Sequence, residues 1–487
     1  MFEPDTALAL AVVLPILGAL LVRLTGNSPN LREAMTLATG AATVLVVVQL
    51  LFAVLGGASP QLTFAEPLPG LTLAFRLEPL GMIFALIASF LWVVTSVYAI
   101  GYMRGAMEQN QTRFFMLFAL AIGFALGIAF AGNLLTLFVF YELLTLSTYP
   151  LVTHKGTEEA RRGGRIYLGI LLSTSIFFFL PALIWTYYAA GTLDFAAGGI
   201  LADKMSPAAA GVLLLLFFFG VGKAALMPFH KWLPNAMVAP TPVSALLHAV
   251  AVVKAGVFTL LKISVYVFGF DLLQALDTRE FLLYLAGASV LIASLIAMTK
   301  DNLKARLAYS TVAQLGYVTV GALLAIEAGA IGGALQIAMH AFGKITLFFC
   351  AGAIYVATKK TQISQMDGLG RAMPWTMAAF VIGSLSIIGL PPTGGTWAKW
   401  YLMLGAMETG YLVLMGVLML SSLLNIAYLL PIPIRGFFPR DREAAAPAYG
   451  EAPVACLVAI GVAAIGCLVL FAFPQGLYEL AQMGVQQ

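Results

Sequence analysis

The sequence predicts an all-α polytopic membrane protein, and its composition, its apolar runs and its loop charges support this fold class. Of 487 residues, 61% are hydrophobic and 10% are charged, and the mean hydropathy is +0.96. Soluble domains carry about 25% charged residues, so a chain this apolar is expected to lie in a lipid bilayer. The longest polar connections, near 155–165, 357–373 and 434–451, are too short to fold as soluble domains.

Apolar runs recur along the whole chain at about 20 residues, the length that a membrane-spanning helix needs. About fourteen spans are predicted, at 5–24, 33–54, 79–102, 113–132, 134–153, 164–190, 207–228, 241–268, 281–299, 307–325, 329–356, 374–403, 408–432 and 452–474. Before the third span, residues 60–78 alternate apolar side chains around Pro and Gly, which predicts a hairpin outside the membrane.

The loops test this count, because cationic side chains concentrate in cytoplasmic loops. Alternate loops, starting with the first, hold 18 of the 26 Lys and Arg. These residues are Arg23, Arg32, Arg104, Arg113, Lys155, Arg161, Arg162, Arg165, Lys231, Lys300, Lys304, Arg306, Lys359, Lys360, Arg371, Arg435, Arg440 and Arg442. The opposite loops hold only Arg76, Lys204 and Arg279. We therefore expect both termini outside the cell.

Several chemistries are not indicated. Cys350, Cys456 and Cys467 lie singly in apolar spans without CxxC spacing, so neither an iron–sulfur cluster nor a zinc site is predicted. The sequence has no GxxxxGK[ST] loop for ATP. We expect no cofactor, no bound metal, no nucleic-acid partner and no redox catalysis in this chain.

Six charged residues lie inside the predicted spans and away from their ends, and these are the candidate functional residues. They are Glu142, Lys223, Lys254, Lys262, Lys344 and Lys399. A charge at bilayer depth costs about 3 kcal/mol or more, so such residues usually face a bundle interior or a wet path and carry ions. Lys223 has an alternative interpretation, since a long side chain near the end of a span can extend to the membrane surface.

Some of these charges, and two histidines near them, also have two interpretations. Lys262 lies two turns beyond Lys254, and we expect it to extend to the outer surface rather than to function. His340 and Lys344 are four residues apart and share a helix face, as relay partners would, although His340 could be a core histidine. His248 lies six residues before Lys254 and is either a relay member or a packing residue.

Two spans are interrupted by helix-breaking residues. One interruption is MPFHKWLPNAMVAPTPVS at 227–244, and the other is GLPPTGG at 389–395. Proline removes an amide donor and breaks the helical hydrogen-bond ladder. Non-helical backbone at membrane depth is tolerated only where it is buried in protein or lines a wet cavity. Paired broken spans are typical of transporters built from inverted repeats.

Five segments together resemble a known family. They are GKAALMPFHKWLPNAMVAPTPVSALLHAVAVVKAG (222–256), NLLTLFVFYELLTLSTYPL (133–151), KDNLKARLAYSTVAQLGY (300–317), HAFGKITLFF (340–349) and GLPPTGGTWAKW (389–400). They resemble the proton-translocating antiporter-like subunits of respiratory complex I, of membrane-bound hydrogenases and of Mrp-type multisubunit sodium/proton antiporters. The D subunit of the Mrp antiporter fits the length and the lysine at 399. The smallest antiporter-like subunit of complex I also has a lysine at the position that corresponds to 399.

The resemblance implies two inverted five-helix repeats, with helices 7/8 and 12 broken. Residues 1–112 would hold helices 1–3 and the hairpin, and 113–268 the first repeat, helices 4–8. Residues 269–432 would hold the second repeat, helices 9–13, and 433–487 helix 14 and a short tail. Glu78 departs from the family pattern, in which many relatives carry aspartate at the outer boundary, and we expect little effect on function.

The resemblance also implies roles for the buried charges. Glu142 corresponds to the glutamate of the fifth helix, Lys223 to its partner lysine on the seventh and Lys254 to the central lysine of the eighth. Lys399 corresponds to the terminal charged residue of the broken twelfth helix. Additional relay candidates are His248, His340 and Lys344.

The expected function is proton translocation along this Glu–Lys–Lys–Lys relay, within a multisubunit cation/proton antiporter that exchanges sodium. Its expected partners are other membrane subunits, protons, sodium and the lipid of a bacterial plasma membrane. One alternative is a proton-pumping subunit of a redox-driven complex, either complex I-like or a membrane-bound hydrogenase. Another is a membrane anchor in which the buried charged residues no longer have a function.

Overall fold

The computed structural model describes residues 2–439 and 449–486, apart from the side chains of Leu247 and His248. The predicted cytoplasmic residues Arg440 and Arg442 lie outside this description. So does the side chain of His248, whose relay role therefore stays a prediction. The described chain is almost entirely helical, with one small sheet. This confirms the all-α polytopic fold class.

The first half of the chain contains eleven helices and two strands among its described residues. They are α1 Pro4–Leu24, α2 Pro29–Leu55, β1 Gln61–Leu68, β2 Leu71–Arg76, α3 Pro79–Gly105, α4 Gln111–Ala129, α5 Leu134–Val152, α6 Glu158–Thr174, α7 Leu180–Ala190, α8 Pro207–Gly220, α9 Trp232–Asn235, α10 Thr241–Ala245 and α11 Val252–Ile263. Wider π-type turns at Ser175–Phe179, Leu246–Val250 and Ser264–Phe268 join or extend these helices.

The second half of the described chain contains eleven further helices. They are α12 Phe270–Gln274, α13 Asp277–Thr299, α14 Leu303–Leu324, α15 Glu327–Thr358, α16 Leu369–Ala372, α17 Pro374–Ile388, α18 Gly395–Glu408, α19 Leu412–Leu429, α20 Pro431–Phe437, α21 Val454–Ala472 and α22 Gln475–Val485.

The helices match the predicted spans. Within the described residues, 11 helices are long and apolar enough to cross a membrane. The three remaining spans consist of shorter pieces: α8, then α10 with α11, and α17 with α18. The two sets together account for the fourteen predicted spans. The hairpin is also confirmed, because β1 and β2 pair antiparallel with Gln61 opposite Arg76.

One face of the molecule, here called the basic face, gathers the alternate loops that carry most of the cations. The start of α4 meets the residues just after α5, where Arg113 donates to the carbonyl oxygen of His154 at 2.9 Å. The loop after α13 meets the loop after α15, where the amide of Leu303 donates to Thr361 at 3.0 Å. These contacts place the basic loops together, as the alternation predicted.

The opposite face, here called the hairpin face, carries β1 and β2 and both described ends of the chain. The amide of Gln61 donates to Asp5 at 2.9 Å, which fixes the start of α1 beside the hairpin. Near the other end, a Cβ at Gly484 would lie 2.5 Å from Leu80, which lies at the start of α3 just after the hairpin. The two ends therefore lie on the same face, as an even number of spans requires.

Helix boundaries follow from local chemistry. Proline occupies the first turn of α1, α2, α3, α8 and α17. The N–H group that proline lacks would have no acceptor within the helix at these positions. The Asn133 side chain accepts a hydrogen bond from the amide of Thr136 at 2.8 Å and caps α5. This cap places the start of α5 directly beneath the hairpin, since Asn133 also donates to Thr72 at 2.9 Å.

Both interruptions exist, and the first begins earlier than predicted. Regular helix α8 ends at Gly220, before the first proline of the 227–244 segment. Lys223 therefore lies in a 3₁₀ turn, Gly222–Ala224, rather than in the predicted helix. The second interruption starts at Gly389, whose φ of +88° favours glycine and ends α17.

A short C-terminal helix, α22, was not predicted, since only a tail was expected there. It packs against α3 and α15 on the hairpin face. Tyr266 donates its hydroxyl to the carbonyl oxygen of Gly484 at 2.7 Å and ties α22 to the end of the eighth span.

Candidate functional site

Lys223 contacts α5 through its ammonium group. Its Nζ donates to the carbonyl oxygen of Tyr141 at 2.8 Å and to the hydroxyl of Thr145 at 2.6 Å. The same Nζ lies 3.1 Å from the centroid of the Tyr141 ring. The side chain has no exposed surface. A carbonyl, a hydroxyl and an aromatic ring therefore surround the amine in place of water.

Glu142 is the neighbour of Tyr141 on α5. Both of its carboxylate oxygens are buried, and neither accepts a hydrogen bond from the described residues. The ion pairs formed among the described residues do not include it. Lys223 contacts α5, the helix that carries Glu142, but the two side chains do not form a salt bridge in this structure. Burial of a charged carboxylate without hydrogen-bond donors is energetically costly.

Lys254 and His340 are brought into direct contact. Lys254 lies on α11 and His340 on α15, and their side-chain nitrogens, Nζ and Nδ1, are 2.5 Å apart. Both side chains are buried. The π-type turn Leu246–Val250 widens the helix just before Lys254, and such turns often mark functional sites. His340 was predicted as a relay candidate, and its contact with Lys254 supports that choice.

Lys344 lies one turn beyond His340 on α15 and starts a chain of side-chain hydrogen bonds. Its Nζ donates to the hydroxyl of Ser310 on α14 at 2.8 Å. The hydroxyl of Ser310 also lies 3.0 Å from the hydroxyl of Tyr428 on α19, to which it can donate. Tyr428 in turn is hydrogen-bonded to the side-chain oxygen of Asn425. The chain carries polar contacts from Lys344 across three helices.

Lys399 lies on the second half of the broken twelfth span. Its Nζ donates to the carbonyl oxygen of Ile388 at 2.9 Å and to the hydroxyl of Ser422 at 2.8 Å. Ile388 is the last residue of α17, so the break exposes this carbonyl to the amine. Gly389 leaves room for the lysine, since a Cβ there would lie 2.6 Å from its Cδ.

The polar residues of α19 were missed by the sequence analysis. Asn425 donates to the carbonyl oxygen of Ile387 at 3.4 Å, one residue from the acceptor of Lys399. The polar contacts of Lys344 therefore end beside those of Lys399. A signal was present: Ser422, Asn425 and Tyr428 recur at helical spacing within an otherwise apolar span.

Lys262 does not extend to the membrane surface, so that expectation is wrong. Its side chain has no exposed surface, and its Nζ forms an ion pair with Glu78 at 3.0 Å. Glu78 is 5% exposed, so the ion pair is buried. The reason is geometric: the hairpin and the start of α3 cover the end of α11 that was expected to face water.

A cavity of about 150 Å³ opens on the basic face beside the start of the eighth span. Lys155, Thr241, Lys304 and Tyr355 contribute to its wall. Lys304 donates to the carbonyl oxygen of Ala239 at 2.6 Å, next to the prolines that precede α10. The cavity lies at the N-terminal end of the span that carries Lys254.

Family comparison identifies the type of membrane protein. A family described as "NADH:quinone oxidoreductase/Mrp antiporter, TM" matches residues 131–425. A second family, "NADH-Ubiquinone oxidoreductase (complex I), chain 5 N-terminus", matches residues 70–115. The first match covers more than half of the chain and contains Glu142 and the five buried lysines.

Relatives are found in both kinds of complex. The chain is 34% identical to NADH-quinone oxidoreductase subunit N of Desulforudis audaxviator, over 82% of this chain and 81% of that protein. It is 32% identical to the A/B subunit of a probable K(+)/H(+) antiporter of Rhizobium meliloti, over 70% of this chain and 34% of that protein. The chain thus spans most of the first relative and about a third of the second.

Two solved structures share the fold. The Mrp complex from Dietzia sp. DQ12-45-1b aligns with a TM-score of 0.87 and 22% identity, over 99% of this chain and 97% of the matched chain. The archaeal membrane-bound sulfane sulfur reductase aligns with a TM-score of 0.86 and 23% identity, over 99% of this chain and 98% of the matched chain. Both alignments extend over nearly the whole chain, so the whole fold is shared with these two structures.

The position of Lys223 depends on the absence of a side chain at Gly256. A Cβ at Gly256 would lie 2.3 Å from the carbonyl carbon of Lys223. We therefore expect Gly256→Ala to destabilise the purified protein by about 1–3 kcal/mol, the usual cost of overpacking. Thermal unfolding in detergent measures this change.

Gly416→Ala is the matched control, because Gly416 lies in α19 with nothing near its missing Cβ. Alanine in an open helical position is expected to be neutral or stabilising by about 0.5–1 kcal/mol. Equal melting temperatures for the two variants would show that the contact between α11 and the turn at Lys223 is looser than described.

Proposed function

Because this chain belongs to the NADH:quinone oxidoreductase/Mrp antiporter family, we propose that it is the proton-translocating membrane subunit of a multisubunit cation/proton antiporter, with sodium as the exchanged cation. One observation carries the proposal: buried amines, each hydrogen-bonded to a neighbouring helix, follow one another through the interior. They are Lys223, Lys254, Lys344 and Lys399. Buried amines at bilayer depth are typical of ion paths.

We place the start of the relay at Glu142 and Lys223. Burial in apolar surroundings disfavours the charged ammonium, whereas a nearby carboxylate favours it. At about 4 Å and an effective dielectric constant of about 20, one such pair is worth about 4 kcal/mol. Lys223 would keep its proton when ionised Glu142 approaches and release it when Glu142 is neutralised. The present contacts of Lys223 with Tyr141 and Thr145 correspond to the separated arrangement.

We place the middle and the end of the relay on the second half of the chain. A proton reaching Lys254 can pass to His340 through their direct contact. Lys344 follows one turn later on the same helix, and its hydrogen bond to Ser310 leads towards Lys399. Because these groups are close and buried, their titrations are expected to be coupled rather than independent.

We propose that the basic face is cytoplasmic and that both termini are outside, in a bacterial plasma membrane. The concentration of cations on one face supports this orientation. The cavity beside Lys304 and Thr241 would then admit cytoplasmic protons or water towards Lys254. The proposed repeats, 113–268 and 269–432, each contain one broken span beside a relay lysine, in agreement with an inverted-repeat design.

We place the sodium path at an interface with another subunit. Hard cations favour several oxygen ligands together. Among the described residues, no group of three or more acidic, histidine or cysteine side chains could hold a metal ion. Glu142 alone offers carboxylate oxygens beside Lys223, so a sodium site there would need ligands from a partner.

A second candidate function is favoured by a specific observation, the 34% identity to a subunit of NADH-quinone oxidoreductase. In that case the same relay would be driven by electron transfer in other subunits. Purification of the native complex separates the two proposals. Flavin or iron–sulfur absorbance in the purified complex would favour the redox-driven machine, and its absence with sodium-dependent proton movement would favour the antiporter.

The first prediction concerns the pair that starts the relay. Glu142→Ala or Lys223→Ala is expected to abolish proton movement in vesicles given a sodium pulse, because each variant removes one of the two groups that control proton release. Assembly of the complex should be largely unchanged. A pH-sensitive dye measures proton movement, and gel filtration measures assembly.

Matched controls remove the same residue types from exposed positions: Glu159→Ala at the start of α6 and Lys231→Ala on the basic face. Both are expected to transport normally. Normal transport by an assembled Glu142→Ala or Lys223→Ala complex would remove the proposed role of that residue.

The second prediction concerns the polar chain between Lys344 and Lys399. Tyr428→Phe keeps the ring and removes the hydroxyl that joins Ser310 to Asn425. At about 1 kcal/mol for each of the two hydrogen bonds lost, the transport rate is expected to fall about thirtyfold. Tyr188→Phe is the control, since Tyr188 is 82% exposed. Equal rates for the two variants would exclude the hydroxyl from the path.

A further inference from the structure

We propose that Glu78 and Lys262 form a second proton-transfer site, which exchanges protons between the relay and the medium on the hairpin face. The inference rests on the proposed function and deepens it by locating an exchange point for protons on that face. The argument starts from a buried ion pair that the relay of Glu142, Lys223, Lys254 and Lys399 does not use.

The pair is held by contacts from three parts of the chain. Lys262 Nζ lies 3.0 Å from Glu78 Oε2 and donates to the carbonyl oxygen of Ala131 at 2.6 Å. It also lies 4.3 Å from the centroid of the Phe195 ring. The other carboxylate oxygen of Glu78 accepts from Arg76 at 3.0 Å. The pair is thus enclosed by protein yet connected, through Arg76, to the hairpin.

A pocket of about 380 Å³ leads from the hairpin face to Glu78. Its wall includes Arg76, Glu78, Ala196 and Ala197, and the two alanines are exposed. The side chain of Arg76 is 35% exposed, so this guanidinium lies between the medium and the carboxylate. A pocket of this size with polar groups at its base has room for several waters. Glu78 can therefore meet water without reaching the surface.

The other end of the pair points along α11 towards the relay. Lys262 follows Lys254 by eight residues, or about 12 Å along the helix. Buried Phe258 lies between them, with its ring 5.2 Å from that of Phe84 and 5.8 Å from Lys262 Nζ. The two aromatic rings form an apolar barrier between two buried amines, and a barrier of this kind would limit leakage while the relay is idle.

A purely structural role does not account well for this arrangement. Replacing a buried ion pair with apolar side chains of similar volume is often neutral or stabilising, so burial of Glu78 and Lys262 is weak support for a stabilising function. A clamp between the hairpin and α11 would also need no pocket at its base. The combination of buried pair, pocket and neighbouring relay lysine points to ion movement.

The transfer step conserves charge and protons. A proton passes from Lys262 Nζ to Glu78 Oε2, breaking an N–H bond and forming an O–H bond, and leaves a neutral amine beside a neutral acid. The acid then releases this proton to water in the pocket and becomes a carboxylate again. The amine takes a replacement proton from the side of Lys254, through water that passes Phe258. The reverse sequence carries protons inward.

Three variants test the site in the assembled complex: Glu78→Gln, Lys262→Met and the double variant. The double variant is the informative one, because it leaves no unpaired buried charge and should assemble normally. We expect its proton transport to fall at least about tenfold, which corresponds to about 1.4 kcal/mol in the barrier. Transport by the assembled double variant at the normal rate would overturn the proposal and leave a structural clamp.

A labelling experiment tests the pocket without altering the pair. Cys350, Cys456 and Cys467 are buried, so an introduced cysteine is the expected target of a bulky membrane-impermeant maleimide. In vesicles that expose the hairpin face, labelled Ala197→Cys is expected to transport at least about fivefold more slowly, a barrier change of about 1 kcal/mol. Ala202→Cys is the control, because Ala202 is exposed on the same connection but does not line the pocket. Full activity of labelled Ala197→Cys would contradict a proton route through this pocket.

The outcomes separate this inference from the proposed function. If the double variant transports normally while Glu142→Ala and Lys223→Ala are inactive, the second site is wrong and the relay stands. If the unaltered complex moves no protons under either a sodium pulse or electron transfer, both proposals fail together.

Discussion

The cost of placing a charge in a low-dielectric interior is the constraint on which the rest of the structure depends. Each buried amine must find oxygen atoms or aromatic rings in place of water. Lys223 finds a carbonyl, a hydroxyl and a ring on α5, and Lys399 finds a carbonyl and a hydroxyl beside its own break. These contacts replace part of the solvation that each amine loses on burial, but they are poorer than bulk water. That balance is what a proton relay requires.

The broken helices meet this constraint locally. An intact α-helix uses its carbonyl groups internally, whereas a helix end leaves the last ones free. The end of α17 offers the carbonyl of Ile388 to Lys399, and the turn after α8 turns Lys223 towards α5. Glycines make both arrangements possible, Gly389 by its positive φ and Gly256 by allowing close contact. The interruptions therefore supply hydrogen-bond acceptors and positions that the buried lysines need.

Much of the fold could be predicted from the sequence, because apolar length, loop charge and proline are local signals. These signals predicted the fourteen spans, the hairpin and both interruptions. The free-energy cost of a charge at membrane depth identified the buried charged residues as candidates for function. Contacts between distant segments could not be predicted. Lys262 was expected to reach the surface because nothing local shows that the hairpin covers it and supplies Glu78. The start of the first interruption was also missed, since no proline marks Gly220.

The proposed relay requires that the buried amines be joined by hydration, since several are not in direct contact with one another. Lys254 reaches His340 directly and Lys344 reaches Ser310, but the steps between Lys223 and Lys254 need water. A cryo-EM map of the native complex, at a resolution that shows ordered water, measures this most directly. The account predicts water density linking Lys223, Lys254 and Lys344 through the interior. Dry apolar packing between these amines, with no water on any connecting path, would contradict it.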